Sequence, residues 1–295
     1  MPSPQLAEAL EFMAQNAVPL DATVPERRAI LEARARNLPL FPGAQAEAVQ
    51  APGVSGEWVS LAGVSDETVI FFIHGGGYVA GTAAGSRDLV ARLCQATGAR
   101  ALSIDYRRAP EAPFPAAVED CVAAYRWLLA QGVAPEHCAV AGPSAGGELV
   151  AATLLALRVA GLRLPACAVC MSPFVDMTVS AESLGHGAGR DVLDPGVVRS
   201  FARLYVQDAD PRLPLASPVF ADLNGLPPLL IQVGTAEILL DDARALAARA
   251  RACGVAVTYE EWEDMFHGWQ GLAALLPEGA EAIAHAGDFM RAHCR

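Results

Sequence analysis

Short apolar runs alternate with longer helical stretches through most of this 295-residue chain, and this alternation constrains the fold more than any other feature. The apolar runs are residues 69–73, 100–104, 138–141, 166–171, 229–233 and 255–259. Continuous apolar character over so few residues is typical of strands covered on both faces. The helical stretches are residues 86–97, 115–130, 145–159, 241–253 and 278–293. Strands and helices in this order predict an α/β fold, a mostly parallel central sheet flanked by helices.

Two segments stand outside the alternation and predict a helical cap on this single domain. Residues 1–40 contain helical stretches at 5–15 and 25–37, and residues from about 175 to 215 are rich in Gly, Ser, Pro and Asp around one helix-like stretch, 196–206. Because the second segment follows a strand of the sheet, we expect it to lie over the strand ends, where a cap excludes water from a site. A plain surface excursion is the alternative.

The charge balance argues against several classes of partner. The chain has a formal net charge of −12 and a sequence pI near 4.9. Nucleic-acid-binding proteins concentrate Lys and Arg, and anionic membrane surfaces repel an acidic chain. The first residues lack the basic start and apolar core of a secretory signal, and no uncharged apolar stretch reaches transmembrane length. We therefore expect a cytoplasmic protein that binds neither nucleic acid nor membranes.

Seven cysteines are scattered through apolar runs, a pattern typical of reduced, buried thiols. Cys167 and Cys170 form a CxxC pair, but they lie within a predicted buried strand and not at the helix start that a redox pair needs. Neither a second pair nor a histidine cluster accompanies them. The sequence thus predicts no metal site, and we expect no cofactor.

Residues 142–146 read Gly-Pro-Ser-Ala-Gly and fit the GxSxG pattern of a nucleophilic serine. They lie between the predicted strand 138–141 and the helix that begins at Ala145, which is the setting that the pattern requires. Small residues permit the tight turn that lifts the Ser144 hydroxyl above the sheet. The helix behind the turn directs its positive end at the site, so Ser144 is the predicted nucleophile.

A run of three glycines after strand 69–73 predicts an oxyanion hole. The sequence there is His74-Gly75-Gly76-Gly77, whose backbone can bend sharply and present unhindered N–H groups. Fixed donors of this kind stabilise the negative oxygen that forms when a carbonyl is attacked. We assign Gly75, Gly76 and, after the nucleophile, Ala145 as donors, with His74 holding the loop. A flexible turn before a helix is the alternative.

A serine hydroxyl needs a neighbouring base, and His267 is the predicted one. It lies in the loop after the last predicted strand, where it can reach back over the sheet. The chain order in folds with this serine turn is nucleophile, acid, histidine, and His267 fits the last place.

The acid must lie between Ser144 and His267, just beyond a strand end. Glu237 follows the predicted strand 229–233 and is still in the loop, so we choose it, with Asp241 in reserve. Asp241 and Asp242 look like the N-cap and first turn of the next helix. A carboxylate in the loop fixes the histidine tautomer and stabilises the imidazolium.

Together these motifs resemble the hormone-sensitive-lipase-like family of bacterial esterases, over residues 69–269 or so. Stretches that add to the resemblance are the sequence DYRRAPEAPFPAA at 105–117, Ser-Pro at 217–218 and Leu-Pro-Pro at 226–228. The resemblance implies an α/β-hydrolase fold. It also implies an acid in the family's D-x-L-x-D pattern, which here begins with Glu237. Relatives that resemble monoterpene lactone hydrolases look the same there, which adds lactones to the expected substrates.

Two positions depart from the family pattern. Pro143 stands where the family normally has Asp, and proline removes a backbone donor and fixes φ, so the loop contacts of that Asp are lost. Glu148 stands where the family often has a smaller polar residue. The triad does not need the Asp, and we expect the alcohol side of the pocket to differ.

The expected function is that of a serine carboxylesterase acting on short- to medium-chain esters or lactones through an acyl-enzyme on Ser144. Aromatic side chains expected to line the pocket are Tyr78, Phe174, Tyr205 and Phe266, each of which also suits a plain core position. An amide, carbamate or thioester hydrolase with the same triad is one alternative. Another is a non-catalytic ligand-binding protein such as the plant gibberellin receptors, which resemble the family but lack the histidine that this chain has. Relatives commonly pair through the final strand region and last helix, which implies a homodimer, although the sequence itself leaves the oligomeric state open.

Overall fold

The computed structural model describes residues 2–38, 40–186 and 190–294, and this part of the chain contains one eight-stranded sheet. The strands are β1 (Ala44–Ala51), β2 (Val54–Leu61), β3 (Ser65–Ile73), β4 (Ala99–Asp105), β5 (Cys138–Pro143), β6 (Cys167–Met171), β7 (Leu229–Gly234) and β8 (Val257–Trp262). Their order across the sheet is β1-β2-β4-β3-β5-β6-β7-β8. Strands β3 to β8 run parallel, whereas β2 pairs antiparallel with both β1 and β4. The predicted mostly parallel sheet is confirmed.

Helices cover both faces of this sheet. They are α1 (Gln5–Gln15), α2 (Val24–Asn37), α3 (Arg87–Thr97), α4 (Ala116–Ala130), α5 (Ala145–Val159), α6 (Ser183–His186), α7 (Pro195–Val206), α8 (Leu240–Ala252) and α9 (Pro277–His293). Among the described residues, no helix combines the length and the apolar character needed to cross a membrane.

The hairpin of β1 and β2 is an element that the sequence analysis did not predict. Its first strand, AQAEAVQA, consists mainly of Ala, Gln and Glu, which strands disfavour or only tolerate, and it lies partly exposed at the sheet edge. A signal was present in the two-residue link Pro52-Gly53, because Gly53 adopts a positive φ of 78° in a tight hairpin turn. Pairing with β2, and not the local sequence of β1, therefore stabilises β1 as an edge strand.

Alternate residues of each buried strand enter two different core layers. In β3, Phe71 and Ile73 pack on the face covered by α4, α5 and α8, while Ile70 and Phe72 pack on the face covered by α3 and α9. All four are fully buried, and burying a side chain of this size contributes about 1.5–3 kcal/mol. The two layers make the sheet a rigid support. The loops at its carboxyl edge, where the parallel strands end, therefore start from fixed positions.

The predicted cap segments lie against the loops at this carboxyl edge. Helix α1 packs Ala9 into a cluster with Phe266 and Trp269. In α2, the Arg28 guanidinium donates to the carbonyls of Val79 and Ala109, at 2.7 Å each, and so ties this helix to the segments after β3 and β4. The role of these segments as a cap stays a prediction, and Met1, Pro39 and residues 187–189 within them lie outside the described residues.

Candidate active site

Ser144 occupies a strained turn between β5 and α5. Its backbone angles are φ 57° and ψ −123°, a region that costs a non-glycine residue of order 1–3 kcal/mol. The turn is held because Ser144 N donates to Met171 O at 2.8 Å and Ser144 O accepts from Phe174 N at 3.2 Å. A side chain at Gly146 would collide with the carbonyl of Ile73, which explains the glycine. The turn therefore presents Ser144 at the carboxyl edge of the parallel strands.

The glycine loop after β3 lies directly against this serine. A Cβ atom on Gly75 would lie 3.3 Å from Ser144 Cβ and 2.9 Å from Pro143 O, so only glycine permits this approach. His74 Nδ1 donates to Gly75 O at 2.7 Å, and its ring stacks on Tyr106 at a centroid distance of 4.2 Å. Burial lowers the pKa of His74 to about 4, so the ring is neutral at pH 7 and supports the loop through hydrogen bonding and stacking.

The predicted acid and base are joined by a hydrogen bond. His267 Nδ1 lies 2.9 Å from Glu237 Oε2, and the Glu237 side chain is fully buried. The other carboxylate oxygen, Oε1, accepts from Ser172 Oγ and from Gly234 N, both at 2.7 Å. With its proton fixed on Nδ1 by the carboxylate, the imidazole keeps Nε2 free to act as a base.

The electrostatics of the pair favour a protonated imidazole. Burial works against the charge on His267, but the hydrogen bond and negative charge of Glu237, together with the charge of Asp191, outweigh it and raise the pKa of His267. Burial also raises the pKa of Glu237, while the hydrogen bonds from His267 and Gly234 act in the opposite direction. The arrangement can therefore accept a proton on the imidazole and stabilise the resulting cation.

A comparison with protein families agrees with the geometry of this site. A family model described as the alpha/beta hydrolase fold matches residues 70–271, which include Ser144, Glu237 and His267. This chain belongs to the α/β-hydrolase family. An acetyl-hydrolase of Streptomyces hygroscopicus is 45% identical over 296 residues, which cover 99% of this hydrolase and 97% of the relative.

Solved structures extend the match to the whole chain. An esterase from the bacterial hormone-sensitive lipase family has a TM-score of 0.96 and 46% identity, with 100% of both chains covered. The esterase EstE5, soaked with p-nitrophenyl butyrate, has a TM-score of 0.94 and 43% identity, with 99% of both chains covered. The resemblance inferred from the motifs is confirmed: this hydrolase has the α/β-hydrolase fold and is a serine ester hydrolase of the hormone-sensitive-lipase type.

Asp241 and Asp242 lie in the first turn of α8, as predicted, but the predicted N-cap was wrong because Leu239 occupies that position. Both aspartates accept hydrogen bonds from other segments. Asp242 Oδ2 accepts from Val175 N at 2.8 Å, and burial raises the pKa of Asp242 to about 7. Asp241, the reserve acid, accepts from Ser183 N at 2.8 Å, whereas Glu237 is the carboxylate on His267.

Asp191 contacts the loops of Glu237 and His267, and the sequence did not predict this contact. Its Oδ1 accepts from His267 N at 2.7 Å and its Oδ2 accepts from Ile238 N at 2.9 Å. The first of these bonds spans 76 residues, so no local pattern announces it. Only the folded chain brings this carboxylate to the loops of the predicted acid and base.

Three of the four predicted pocket aromatics form one buried cluster in the hydrolase. Tyr78 Oη donates to Phe174 O at 3.0 Å, and the rings of Tyr78 and Tyr205 stack at a centroid distance of 3.7 Å. Phe266 lies apart from them, in the cluster with α1. All four are at most 2% exposed, and their role in binding substrate stays a prediction.

A cavity opens beside the glycine loop. It has a volume of about 310 Å³ and is bordered by Gly75 and Gly76, by Leu31 and Ala35 of α2, and by Leu38 directly after that helix. This volume is at the lower end of the range of about 300–1,000 Å³ that small-molecule sites occupy. Within the described part of the chain, no group of three or more His, Cys, Asp or Glu side chains is placed to hold a metal ion.

Proposed function

We propose that this hydrolase cleaves short- to medium-chain carboxylic esters or lactones through a covalent acyl-enzyme on Ser144. The observation that carries the proposal is the hydrogen bond of 2.9 Å between His267 Nδ1 and Glu237 Oε2. It lies at the sheet edge where β5 ends at the strained serine turn. Nucleophile Ser144, acid Glu237 and base His267 follow one another in the chain order of this fold.

The proposed reaction proceeds in two acyl-transfer steps. His267 Nε2 takes the Ser144 proton while the hydroxyl oxygen forms a bond to the substrate carbonyl carbon. The carbonyl oxygen becomes negative and accepts hydrogen bonds from the backbone N–H groups of Gly75, Gly76 and Ala145. His267 then protonates the leaving alcohol as the ester bond breaks. A water molecule, deprotonated by the same imidazole, attacks the acyl-enzyme and releases the carboxylic acid.

The expected size of the substrate is supported by the relatives. One relative is named an acetyl-hydrolase, and crystals of another were soaked with a butyrate ester, both with small acyl groups. Lactones are included because the acid in the D-x-L-x-D position is Glu237.

The test compares Ser144→Ala with the unchanged enzyme on p-nitrophenyl esters of increasing acyl length and on a matched lactone, amide and thioester. We expect turnover of the acetyl and butyryl esters to exceed that of long-chain esters and amides, and Ser144→Ala to abolish it. Labelling by a fluorophosphonate should require Ser144. Turnover retained by Ser144→Ala would contradict the assignment, and a faster amide would contradict the substrate class.

We also propose a cytoplasmic homodimer without nucleic-acid or membrane partners. The cysteines support a reducing compartment, because all seven are free thiols and five of them are buried. Strand β8 is an edge of the sheet and supports pairing through the final strand region and α9. Light scattering during size-exclusion chromatography should give twice the chain mass, and a monomer mass would contradict the dimer.

A further inference from the structure

One carboxylate from the segment between β6 and β7 connects the loops that carry the acid and the base. Asp191 Oδ1 accepts from His267 N at 2.7 Å and from Val192 N at 2.7 Å, and its Oδ2 accepts from Ile238 N at 2.9 Å. Hydrogen bonds from backbone N–H groups to an ionised carboxylate are short and about twice as strong as bonds between neutral groups.

We infer that Asp191 is a positioning residue, which holds the backbones of Glu237 and His267 in register and stabilises the charged imidazole. The inference rests on the proposed function, because it assigns Asp191 a task in the triad of Ser144.

The positions of the two donors support the positioning role. Ile238 directly follows the acid Glu237, and the second donor is the backbone N–H of the base His267 itself. The acid and the base are 30 residues apart and lie in the loops after two adjacent strands. A carboxylate bonded to both loops resists their separation, and a misplacement of about 1 Å at a reacting group costs about 10²-fold in rate.

The charges around His267 support the electrostatic role. Glu237 faces the ring through its hydrogen bond, and Asp191 faces the backbone of the same residue. On the outer side, Arg190 and Asp264 form an ion pair at 3.1 Å between exposed side chains, and this pair neutralises itself. Asp191 is therefore a second negative charge that favours the imidazolium, in addition to Glu237.

Asp191 belongs to the predicted cap segment, residues 175–215 or so, and therefore connects this segment to the triad. Asp191 lies three residues before Asp194, which caps α7 by accepting from Gly196 N at 2.7 Å and from Val197 N at 3.2 Å. The two aspartates thus belong to the same segment, and both accept hydrogen bonds from backbone N–H groups. Only Asp191 bonds to the triad loops. Asp194 therefore provides a matched control.

The experiment compares Asp191→Asn, Asp191→Ala and Asp194→Asn with the unchanged enzyme on p-nitrophenyl butyrate. We expect Asp191→Asn to lower kcat by roughly tenfold to a hundredfold with KM little changed, because the triad loops shift. Removal of the charge should lower the pKa of the base, so the acid limb of kcat/KM should move to lower pH. A shift of roughly 0.5–1 unit is expected, below the 1–3 units of a directly paired charge. Asp194→Asn should leave this midpoint unchanged.

Further outcomes decide between the hypotheses. Asp191→Glu should restore the midpoint in part, since it returns the charge but changes the reach. If Asp191→Asn keeps the midpoint and has a kcat within twofold of Asp194→Asn, the inference is wrong. Should Asp191→Ala fail to fold, the isosteric Asp191→Asn alone decides. If a fluorophosphonate does not label Ser144 in the unchanged enzyme, the proposed function fails, and the inference fails with it.

Discussion

Replacing Glu237 by Gln tests the triad with little change of shape, and the surrounding hydrogen bonds predict how the new amide will lie. Oε1 of Glu237 accepts from both Ser172 Oγ and Gly234 N. In Glu237→Gln the carbonyl oxygen should take this place, because the opposite orientation sets an NH₂ group against the Gly234 N–H. The NH₂ group then faces His267 Nδ1.

The consequence is a wrong tautomer of the base. An amide that donates to His267 Nδ1 leaves the ring proton on Nε2, the atom that must take the proton of Ser144. In chymotrypsin-like proteases the equivalent change of Asp to Asn lowers kcat by about 10⁴, which is about 5.4 kcal/mol at 1.36 kcal/mol per factor of ten. We expect a loss of roughly 10³–10⁴ here, because the carboxylate is likewise buried and hydrogen-bonded to Nδ1 of the histidine.

The assay is hydrolysis of p-nitrophenyl butyrate at pH 8, with thermal melting as a check that each variant is folded. The matched control is Asp241→Asn, at the neighbouring carboxylate, which bonds to Ser183 N and lies 3.4 Å from an Arg244 guanidinium nitrogen. It should retain activity within a few-fold. The reasoning is refuted if Glu237→Gln keeps a tenth of the activity or if Asp241→Asn loses more than Glu237→Gln does.

Three further predictions concern the pH response, the glycine loop and a buried carboxyl group. Because only the neutral imidazole acts as a base and the pKa of His267 is raised, kcat/KM should fall with decreasing pH around a midpoint above 6.5, and a midpoint at or below 6.5 would contradict this. Gly75→Ala keeps its backbone N–H, but the new methyl group would press on Pro143 O and Ser144 Cβ and displace this donor, so kcat should fall by up to the roughly 10²–10³ lost when an oxyanion donor is removed. Gly85→Ala on the same cavity has room for a methyl group and should not lower kcat. Burial raises the pKa of Glu148 well above its ordinary value, so the folded state binds a proton that the unfolded state releases above pH 4.3 or so, and folding stability falls as pH rises. Glu148→Gln should therefore have a larger free energy of unfolding than the unchanged enzyme at pH 8, measured by urea denaturation. This difference in free energy should grow by at most about 1.4 kcal/mol per pH unit and vanish near pH 4; equal differences at both pH values would count against the prediction.

The regular elements of the fold were largely predictable because their signals are local. Helix α5 was predicted with its observed limits, and the limits of α1, α2 and α7 differ from the prediction by at most one residue. The apolar runs that predicted β3 to β7 owe their composition to burial on both faces. Strand β8 was expected to be covered in the same way, but it lies at the sheet edge and none of its residues is fully buried. The hairpin of β1 and β2 was missed because the pairing of β2 with β4, and not the composition of the hairpin, adds these strands to the sheet.

The candidate site was predictable at positions where the backbone geometry of a turn requires a particular residue type. The serine turn needs small residues beside Ser144, and the glycine loop needs backbone that can approach it, so both leave a mark in the sequence. The choice of Glu237 over Asp241 rested on its distance from the strand end. The structure adds the hydrogen bonds to Ser172, Gly234 and His267 that distinguish the two carboxylates.

The sequence by itself determined the alternation of strands and helices from β3 onward, the serine turn and the glycine loop, because each depends on residues that are neighbours in the chain. Only the tertiary structure decided which side chains meet across long separations. It brought Asp191 to a backbone N–H group 76 residues away, directed Asp242 to the loop after β6, and placed Tyr78 against Tyr205. The physical reason is that such contacts depend on where parallel strands end and on how the segments between them fold back over the sheet, and no local pattern encodes that distance.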